Sequence, residues 1–335
     1  MAEIISRDAG PGKAAPMSPD QAAHLVRVAA RAPSLHNTQP WRFRMAGPAI
    51  ELYADRRRQL PEDPYGRELL ISCGAALYGL RLAVRSFGRL PEVDLSPEAA
   101  GRQPLARVRL GAAAPVTPQE RKLLAAVPHR HTHRGPFEPG PLPDGLVPLL
   151  QQDAGDEGAA LAVIDDELDD PDLAATVALA SLRGVMDPAS RAETARWTRD
   201  FDSPARDGVP AYAFPPTPDE PAGRLPSRDF DLGRGLGRMP SAEAPAPVTA
   251  VLVTPGDREQ DWLHAGQALH RLLLHAASRW VFGNLQTQPL QVVWVRALIR
   301  NRLTLPGWPQ MLLQFGLARS THPTARRPPA DVIDP

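Results

Sequence analysis

Apolar residues along this chain fall into an order of elements that occurs twice. Ser18-Pro19-Asp20-Gln21 reads as an N-cap, a first-turn proline and a capping-box glutamine, and Ala22, Leu25, Val26 and Ala29 follow at helical spacing. The loop RAPSLHNTQPW comes next, then a short strand, IELYA (50–54). A long apolar helix, ELLISCGAALYGLRLAVRSFG, and a strand at ARVRL (106–110) close the unit. The order then repeats. Thr117-Pro118-Gln119-Glu120 is again a cap, a proline and a capping-box acid, leading into LLAAV. The loop HRHTHRGPF takes the place of RAPSLHNTQPW, and the strands ALAVI (160–164) and VTAVLV (248–253) precede the helix DWLHAGQALHRLLLHAASRW.

The two long helices can be laid over one another. Gly74-Ala75-Ala76-Leu77 falls on Gly266-Gln267-Ala268-Leu269, with Leu80 on Leu272 and Leu82 on Leu274. Small residues followed a turn later by leucines are a generic helix-packing pattern. Joined to the matching cap–helix–loop order, they point to an internal duplication. Duplicated halves pack as a pseudo-dimer with a shared ligand groove. The expected organisation is an N-terminal segment over 1–16, a first half over 17–115 and a second half over 116–330.

Proline interrupts the second half. The chain has 39 prolines in 335 residues, and ten of them lie between Pro204 and Pro247. Proline lacks an N–H and fixes φ, so this stretch cannot be a helix interior or a central strand. It still carries Tyr212, Phe214, Leu225, Phe230 and Met239, which a pure spacer would not need. The region from about 185 to 247 is therefore expected to be a covering lid that packs on something.

Composition narrows the class. Lys+Arg and Asp+Glu both number 38, a balance that argues against a protein made mainly to grip nucleic acid or an anionic membrane. No apolar run approaches the roughly 20 residues needed to span a bilayer. The start, MAEIISRDAGPGKAAP, has no signal-peptide stretch, and the single cysteine cannot form an internal disulfide. A cytoplasmic globular protein is expected.

Two loops hold the candidate chemistry. Pro33-Ser34-Leu35-His36-Asn37-Thr38-Gln39-Pro40-Trp41 presents hydroxyl, carboxamide and indole groups on a turn bounded by two prolines. Amides offer donors and acceptors together, which suits a heterocycle edge. Asn37 and Gln39 tying the loop to backbone, with Trp41 in the core, is the plainer alternative. In His129-Arg130-His131-Thr132-His133-Arg134-Gly135-Pro136-Phe137, an extended backbone puts Arg130, Thr132 and Arg134 on one side. Two guanidinium forks flanking a hydroxyl make a phosphate site. The opposite side carries His129, His131 and His133, a metal-like array that two neighbouring arginines disfavour. A solvated basic turn is the bland reading. Gly233-Arg234-Gly235-Leu236-Gly237 resembles a phosphate loop but lacks a preceding strand. Ser34 and His36 are too close for a nucleophile–base pair, Cys73 sits in an apolar helix, and Asp165-Asp166 with Asp169-Asp170 reads as a solvated turn.

APSLHNTQPWRF resembles the amide–tryptophan loop of nitroreductase-type flavoproteins, and RHTHRGPF resembles their phosphate loop. With ELLISCGAALYGLRLAV, GWPQMLLQFG and ARRPPADV, roughly from Ser18 to Val332, the chain is similar to the Acg family, in which two nitroreductase-like halves are fused. The resemblance implies an α+β fold with a mainly antiparallel sheet in each half, flanked by helices. It implies one FMN per chain, since only the second half has Arg-x-Thr-x-Arg. Arg130 and Thr132 match residues at the FMN phosphate and ribityl chain, and Arg134 matches a cation near the ring. Pro33, Ser34 and Leu35 match a segment that reaches the ring, with Asn37 and Gln39 shaping it. Arg327 matches a C-terminal arginine completing the phosphate clamp, and Gly283-Asn284-Leu285 a turn approaching flavin N5. Three departures stand out: His131 where a second arginine is common, Trp280 where glycine is common, and one extra residue in Gln286-Thr287-Gln288-Pro289.

The implied activity is FMN-dependent hydride transfer from NADH or NADPH to a nitroaromatic, quinone or other small acceptor. No catalytic side chain is required, because the flavin carries the chemistry. The alternative is a flavin-sequestering protein whose lid, with Tyr212 and Phe214 against the ring, prevents turnover. A third option is an interaction scaffold without flavin. A monomer with the dimer interface built in is expected, with a homodimer as the alternative.

Overall fold

A computed structural model describes residues 17–96, 103–164, 175–176, 178–180, 186–217, 228–239 and 248–334. The expected N-terminal segment, Leu225 and the Asp165–Asp170 patch lie outside the described residues. Helix α1 (Pro19–Ala29) leads to strands β1 (Trp41–Ala46) and β2 (Ala49–Ala54), helix α2 (Arg67–Ser86), and strands β3 (Arg89–Leu95) and β4 (Ala106–Ala113). Helices α3 (Pro118–Ala126) and α4 (Leu146–Asp156) precede β5 (Ala160–Val163). The covering segment contributes helix α5 (Pro188–Trp197) and the two-residue strands β6 (Thr198–Arg199) and β7 (Val209–Pro210). Strand β8 (Val248–Thr254), helix α6 (Glu259–Ala277) and strand β9 (Val281–Gln286) follow. Helices α7 (Gln288–Gln291) and α8 (Val293–Arg302), strand β10 (Trp308–Leu317), helix α9 (Pro329–Val332) and strand β11 (Ile333–Asp334) complete the chain.

Both expected capping boxes form. Ser18 Oγ accepts from Gln21 N at 3.2 Å while Gln21 Oε1 accepts from Ser18 N at 3.0 Å. Thr117 and Glu120 exchange the same pair of bonds at 3.1 and 2.7 Å. Each box satisfies orphan N–H groups of a first helical turn and so fixes where the following loop begins.

One sheet has the order β11-β1-β2-β4-β3 and the other β5-β8-β10-β9. Every pairing in them is antiparallel except β1 with β11, which carries the C-terminal end back onto the first sheet. Phe43, Leu52, Leu70 and Leu80 anchor a core between the first sheet and helices α1 and α2. Leu252, Leu272, Leu313 and Phe315 anchor a second core beneath α6.

Helices α2 and α6 cross glycine against backbone. A Cβ on Gly74 would lie 2.2 Å from Leu263 O, and one on Gly266 would lie 2.0 Å from Ile71 O. The contact is reciprocal, each glycine sitting three residues beyond the carbonyl that its counterpart faces. His270 Nδ1 donates to Ala75 O at 2.7 Å across the same crossing.

Two expectations change here. Helix α2 is by length and composition apolar enough to cross a membrane, contrary to the absence of such a run inferred from the sequence. It is the buried helix of the core, and 89% of its most apolar window is enclosed by protein. Gly283-Asn284-Leu285 is not a turn but the interior of β9, paired with Phe315, Gln314 and Leu313 of β10. Strand β9 ends at Gln286, and Thr287 caps the start of α7. The reversal out of α6 falls on Trp280, whose φ of 58° explains why glycine would suit that position.

Candidate functional site

The loop after α1 is held in an unusual backbone shape. His36, Asn37 and Gln39 have φ of 49°, 55° and 50°, a left-handed region that side chains other than glycine enter rarely. Local bonds hold part of it: Ser34 Oγ accepts from Gln39 N at 3.0 Å and Ser34 O from Asn37 N at 3.0 Å. The rest comes from distant chain. Asn37 Nδ2 donates to Gly208 O at 2.9 Å and Ala325 O at 3.1 Å. Gln39 Nε2 donates to Arg206 O at 2.7 Å, and Gln39 Oε1 accepts from Arg327 N at 2.8 Å. These amides clamp residues 206–208 and 325–327 onto the loop. Of their side-chain polar atoms, Asn37 Oδ1 is buried without a partner. Pro33 is buried, while Ser34 and Leu35 are half-buried.

The second loop runs beside β9. Thr132 bridges to Gly283 in parallel, and Gly283 O accepts from His133 N at 2.9 Å. The expected alternation holds. His131 and His133 turn to one side, where their rings sit 5.7 Å apart and contact Phe282 and Phe137. Burial holds both rings neutral, pushing His131 down to about 3. His129 stacks on Trp280 at 5.6 Å. Arg130 and Arg134 turn to the other side.

There the charge balance is unusual. Arg130 is only 4% exposed. Its Nη2 donates to Arg31 O at 2.9 Å, while Nε and Nη1 are buried without a partner. Arg326 Nη2 donates to Ala32 O at 3.2 Å, Nη1 to Thr324 O at 2.9 Å, and Nε has no partner. Arg31 Nη2 donates to Pro128 O at 3.0 Å, and Arg134 lies over the Phe230 ring at 5.2 Å. None of these four guanidiniums meets a carboxylate among the described residues. Burial, with Arg31 and Arg134 nearby, pushes Arg130 down to about 9; burial pushes Arg134 down to about 10. Burial, then Arg130 and Arg31, pushes Arg326 far down. Arg271 is the contrast: Asp153, Asp156 and Glu157 surround it.

Buried charge without a counter-charge costs several kcal/mol, a cost that an anion placed among these forks would offset. Guanidinium forks converging from two loops and the C-terminal segment match a phosphate. The arginine that joins Arg130 is Arg326, not the expected Arg327. Arg327 turns the other way, its Nη2 donating to Asp331 O at 2.5 Å. Adjacent residues of an extended chain point to opposite sides, and only one of the pair can enter the cluster.

Residues 228–239 pack against this region. Phe230 meets Arg134 and stands edge-on to His36 with centroids 5.3 Å apart. His36 is buried with both ring nitrogens unpartnered, and burial, with Arg228 and Arg134, holds it neutral. Phe214 is buried inside the segment, 5.9 Å from Phe230. Tyr212 Oη donates to Pro323 O at 3.4 Å. Phe230 thus reaches the site together with Tyr212, which lies close enough to Arg326 for the two to interact electrostatically, whereas Phe214 stays inside the segment. In the glycine-rich stretch, the N–H groups of Gly235, Leu236 and Gly237 all point to the Asp231 carboxylate, at 2.9, 2.5 and 2.8 Å. An internal acid occupies the place a phosphate would take.

Arg31, His36, Phe230 and Arg326 were not legible as site residues. Each belongs to a stretch the motifs had marked, but which side chain turns inward is a matter of long-range packing.

No family model matches the chain. A Mycobacterium tuberculosis protein named "Putative NAD(P)H nitroreductase Rv3131" is 34% identical over 321 residues, covering 92% of this chain and 90% of that one. "Putative NAD(P)H nitroreductase acg" of the same organism is 29% identical over 312 residues, covering 92% and 93%. Among solved structures, the FMN-dependent nitroreductase NfnB from Mycobacterium smegmatis in complex with NADPH aligns with a TM-score of 0.35 and 17% identity. That alignment covers 59% of this chain and 88% of the other.

Proposed function

The chain belongs to the Acg family of nitroreductase-like proteins, and from that premise we propose that it binds one FMN and works as an oxidoreductase. The observation that carries the reading is the cluster of buried Arg130 and half-buried Arg31, Arg134 and Arg326, which meets no carboxylate among the described residues. Its donors and charge fit the phosphate tail of FMN. FMN bound there would supply two-electron hydride chemistry between NADH or NADPH and a nitroaromatic, quinone or other small acceptor.

The protein's part is binding, orientation and exclusion of water. Arg130 and Arg326 hold the tail, since their free Nε–H groups lack any other acceptor. Thr132, fixed to β9 through its bridge with Gly283, would offer its hydroxyl to that tail. Arg134 would supply positive charge near the ring, and Pro33, Ser34 and Leu35 would border it. Asn37 and Gln39 act as positioning residues, bracing the loop rather than touching the ligand. The reciprocal crossing of α2 and α6 supports reading the two halves as a fused pair that needs no second chain.

The second reading, flavin sequestration, is favoured by Phe230 lying over Arg134 and beside His36. One experiment separates them: record the visible spectrum of the purified chain, reconstitute it with FMN, and add NADPH or NADH anaerobically. Rapid bleaching identifies the oxidoreductase, and a bound flavin that stays oxidised identifies sequestration. A protein with no affinity for FMN overturns both.

A further inference from the structure

Outside the arginine cluster, a cleft of about 460 Å³ opens behind the 37–39 turn. Five arginines line it: Arg57, Arg58, Arg196, Arg199 and Arg327. Two carboxylates face them. Asp55 pairs with Arg57 at 2.9 Å, and Asp207 bridges Arg58 and Arg199 at 2.9 and 2.8 Å. Five cations against two anions leave a surplus of three positive charges in one concavity. Arg196 has no acidic partner among the described residues, and Arg327 Nη1 is buried without any.

The cations are also held in place. Trp197, itself buried, carries the guanidiniums of Arg58, Arg196 and Arg199 within 5.9, 5.9 and 5.7 Å of its ring. Its Nε1 donates to Glu193 Oε1 at 2.9 Å, which fixes the ring. Forks arrayed around a rigid aromatic lose little freedom on meeting a ligand, so the charge is preorganised.

We propose that this cleft binds the phosphate groups of a polyphosphorylated nucleotide. Guanidinium forks match phosphate oxygens two at a time. The volume falls in the range of small-ligand sites. A chain with no overall cationic surplus, and a single open cleft rather than a stripe of cations, does not suit a nucleic-acid strand. Two sources share this chemistry: a free nucleotide, or the 2′-phosphorylated end of a nicotinamide dinucleotide. The second would make the cleft the determinant of donor choice. Arg58 Nη1 donates to Thr38 O at 2.9 Å and Arg327 N to Gln39 Oε1, so the same turn walls the cleft and the proposed flavin site. The ligand would also tie together the covering segment (Arg196, Arg199), the first half (Arg57, Arg58) and the C-terminal segment (Arg327).

The test is titration calorimetry on the full chain with 2′,5′-ADP, 5′-ADP and inorganic pyrophosphate, at low and high salt. No readout depends on flavin, so a failure of the FMN reading leaves this experiment intact. Binding that weakens with salt, falls at least about tenfold in Arg196→Glu and is unchanged in Arg27→Glu supports the cleft. Arg27 is an exposed arginine of α1 outside it. Tighter binding of 2′,5′-ADP than 5′-ADP assigns the cleft to the 2′-phosphorylated donor. Equal binding of the two assigns it to free nucleotides, and pyrophosphate matching both reduces recognition to the phosphates alone. No binding by any of the three, or binding indifferent to Arg196→Glu, overturns the proposal; the latter would mark capture by the Arg130 cluster instead.

Discussion

Replacing Arg130 by methionine should strengthen the ligand-free protein and weaken its hold on FMN. The side chain is 4% exposed, and burial, with Arg31 and Arg134, pushes its pKa down to about 9. Keeping the charge there costs on the order of 5 kcal/mol at neutral pH. Loss of the bond to Arg31 O returns about 1 kcal/mol. Methionine preserves much of the volume, and Arg326 Nη2 still reaches Arg31 O. A net stabilisation of about 2–4 kcal/mol is expected for the apo form. The sign with pH follows from a depressed basic group. Below about 9 both folded and unfolded chains carry the proton and the whole penalty is present. Above about 9, up to the ordinary arginine range, the unfolded chain binds more protons, so the wild-type apo protein gains stability as pH rises, and Arg130→Met loses that gain. FMN affinity should fall about ten- to a hundredfold, the loss of a charge-assisted contact of roughly 1.5–3 kcal/mol. Denaturant unfolding with and without FMN measures both. A less stable apo protein with unchanged FMN affinity would refute the argument, since it would make Arg130 a structural residue whose charge is already compensated.

Three further outcomes follow from the same geometry. Arg326→Ala should weaken FMN binding about ten- to a hundredfold, whereas Arg327→Ala should leave it close to wild type; equilibrium dialysis decides, and the reverse result would restore the sequence-based choice. Gly74→Ala drives a Cβ to 2.2 Å from Leu263 O and should cost about 1–3 kcal/mol by urea midpoint, while Gly155→Ala, with nothing within 4 Å, should stabilise by about 0.5–1 kcal/mol. Asp231 is buried, which alone would raise its carboxyl, yet the N–H groups of Gly237, Gly235 and Leu236 hold it at about 2. Its contribution is therefore complete above the ordinary carboxyl range near 3.8 and is lost as pH falls towards 2. Asp231→Ala should expose the covering segment to limited proteolysis at neutral pH, and unchanged cleavage would show that the segment is held elsewhere.

Much of this protein was decided within a few residues of chain. Ser18–Gln21 and Thr117–Glu120 form capping boxes because each cap and its partner stand three positions apart, and that spacing is visible in the letters. Gly74 and Gly266 could be paired by inspection, because only a missing Cβ admits the backbone contact they make. The alternation of Arg130, Thr132 and Arg134 against His131 and His133 is likewise a property of extended backbone. What needed the tertiary structure lies in partners far apart. Asn37 reaches Gly208 across 171 positions, and Gln39 meets Arg327 across 288. No local pattern says that these amides will hold the chain at Arg206 and Gly208, or that Arg326 rather than its neighbour turns inward. Gly283–Leu285 became strand for the same reason, since β10 supplies its ladder from thirty residues downstream. Local propensity selects the elements. Which polar group ends up buried, and beside what, depends on how the two sheets and the covering segment close on each other, because a charge that is harmless in water becomes costly only once that closure removes the solvent.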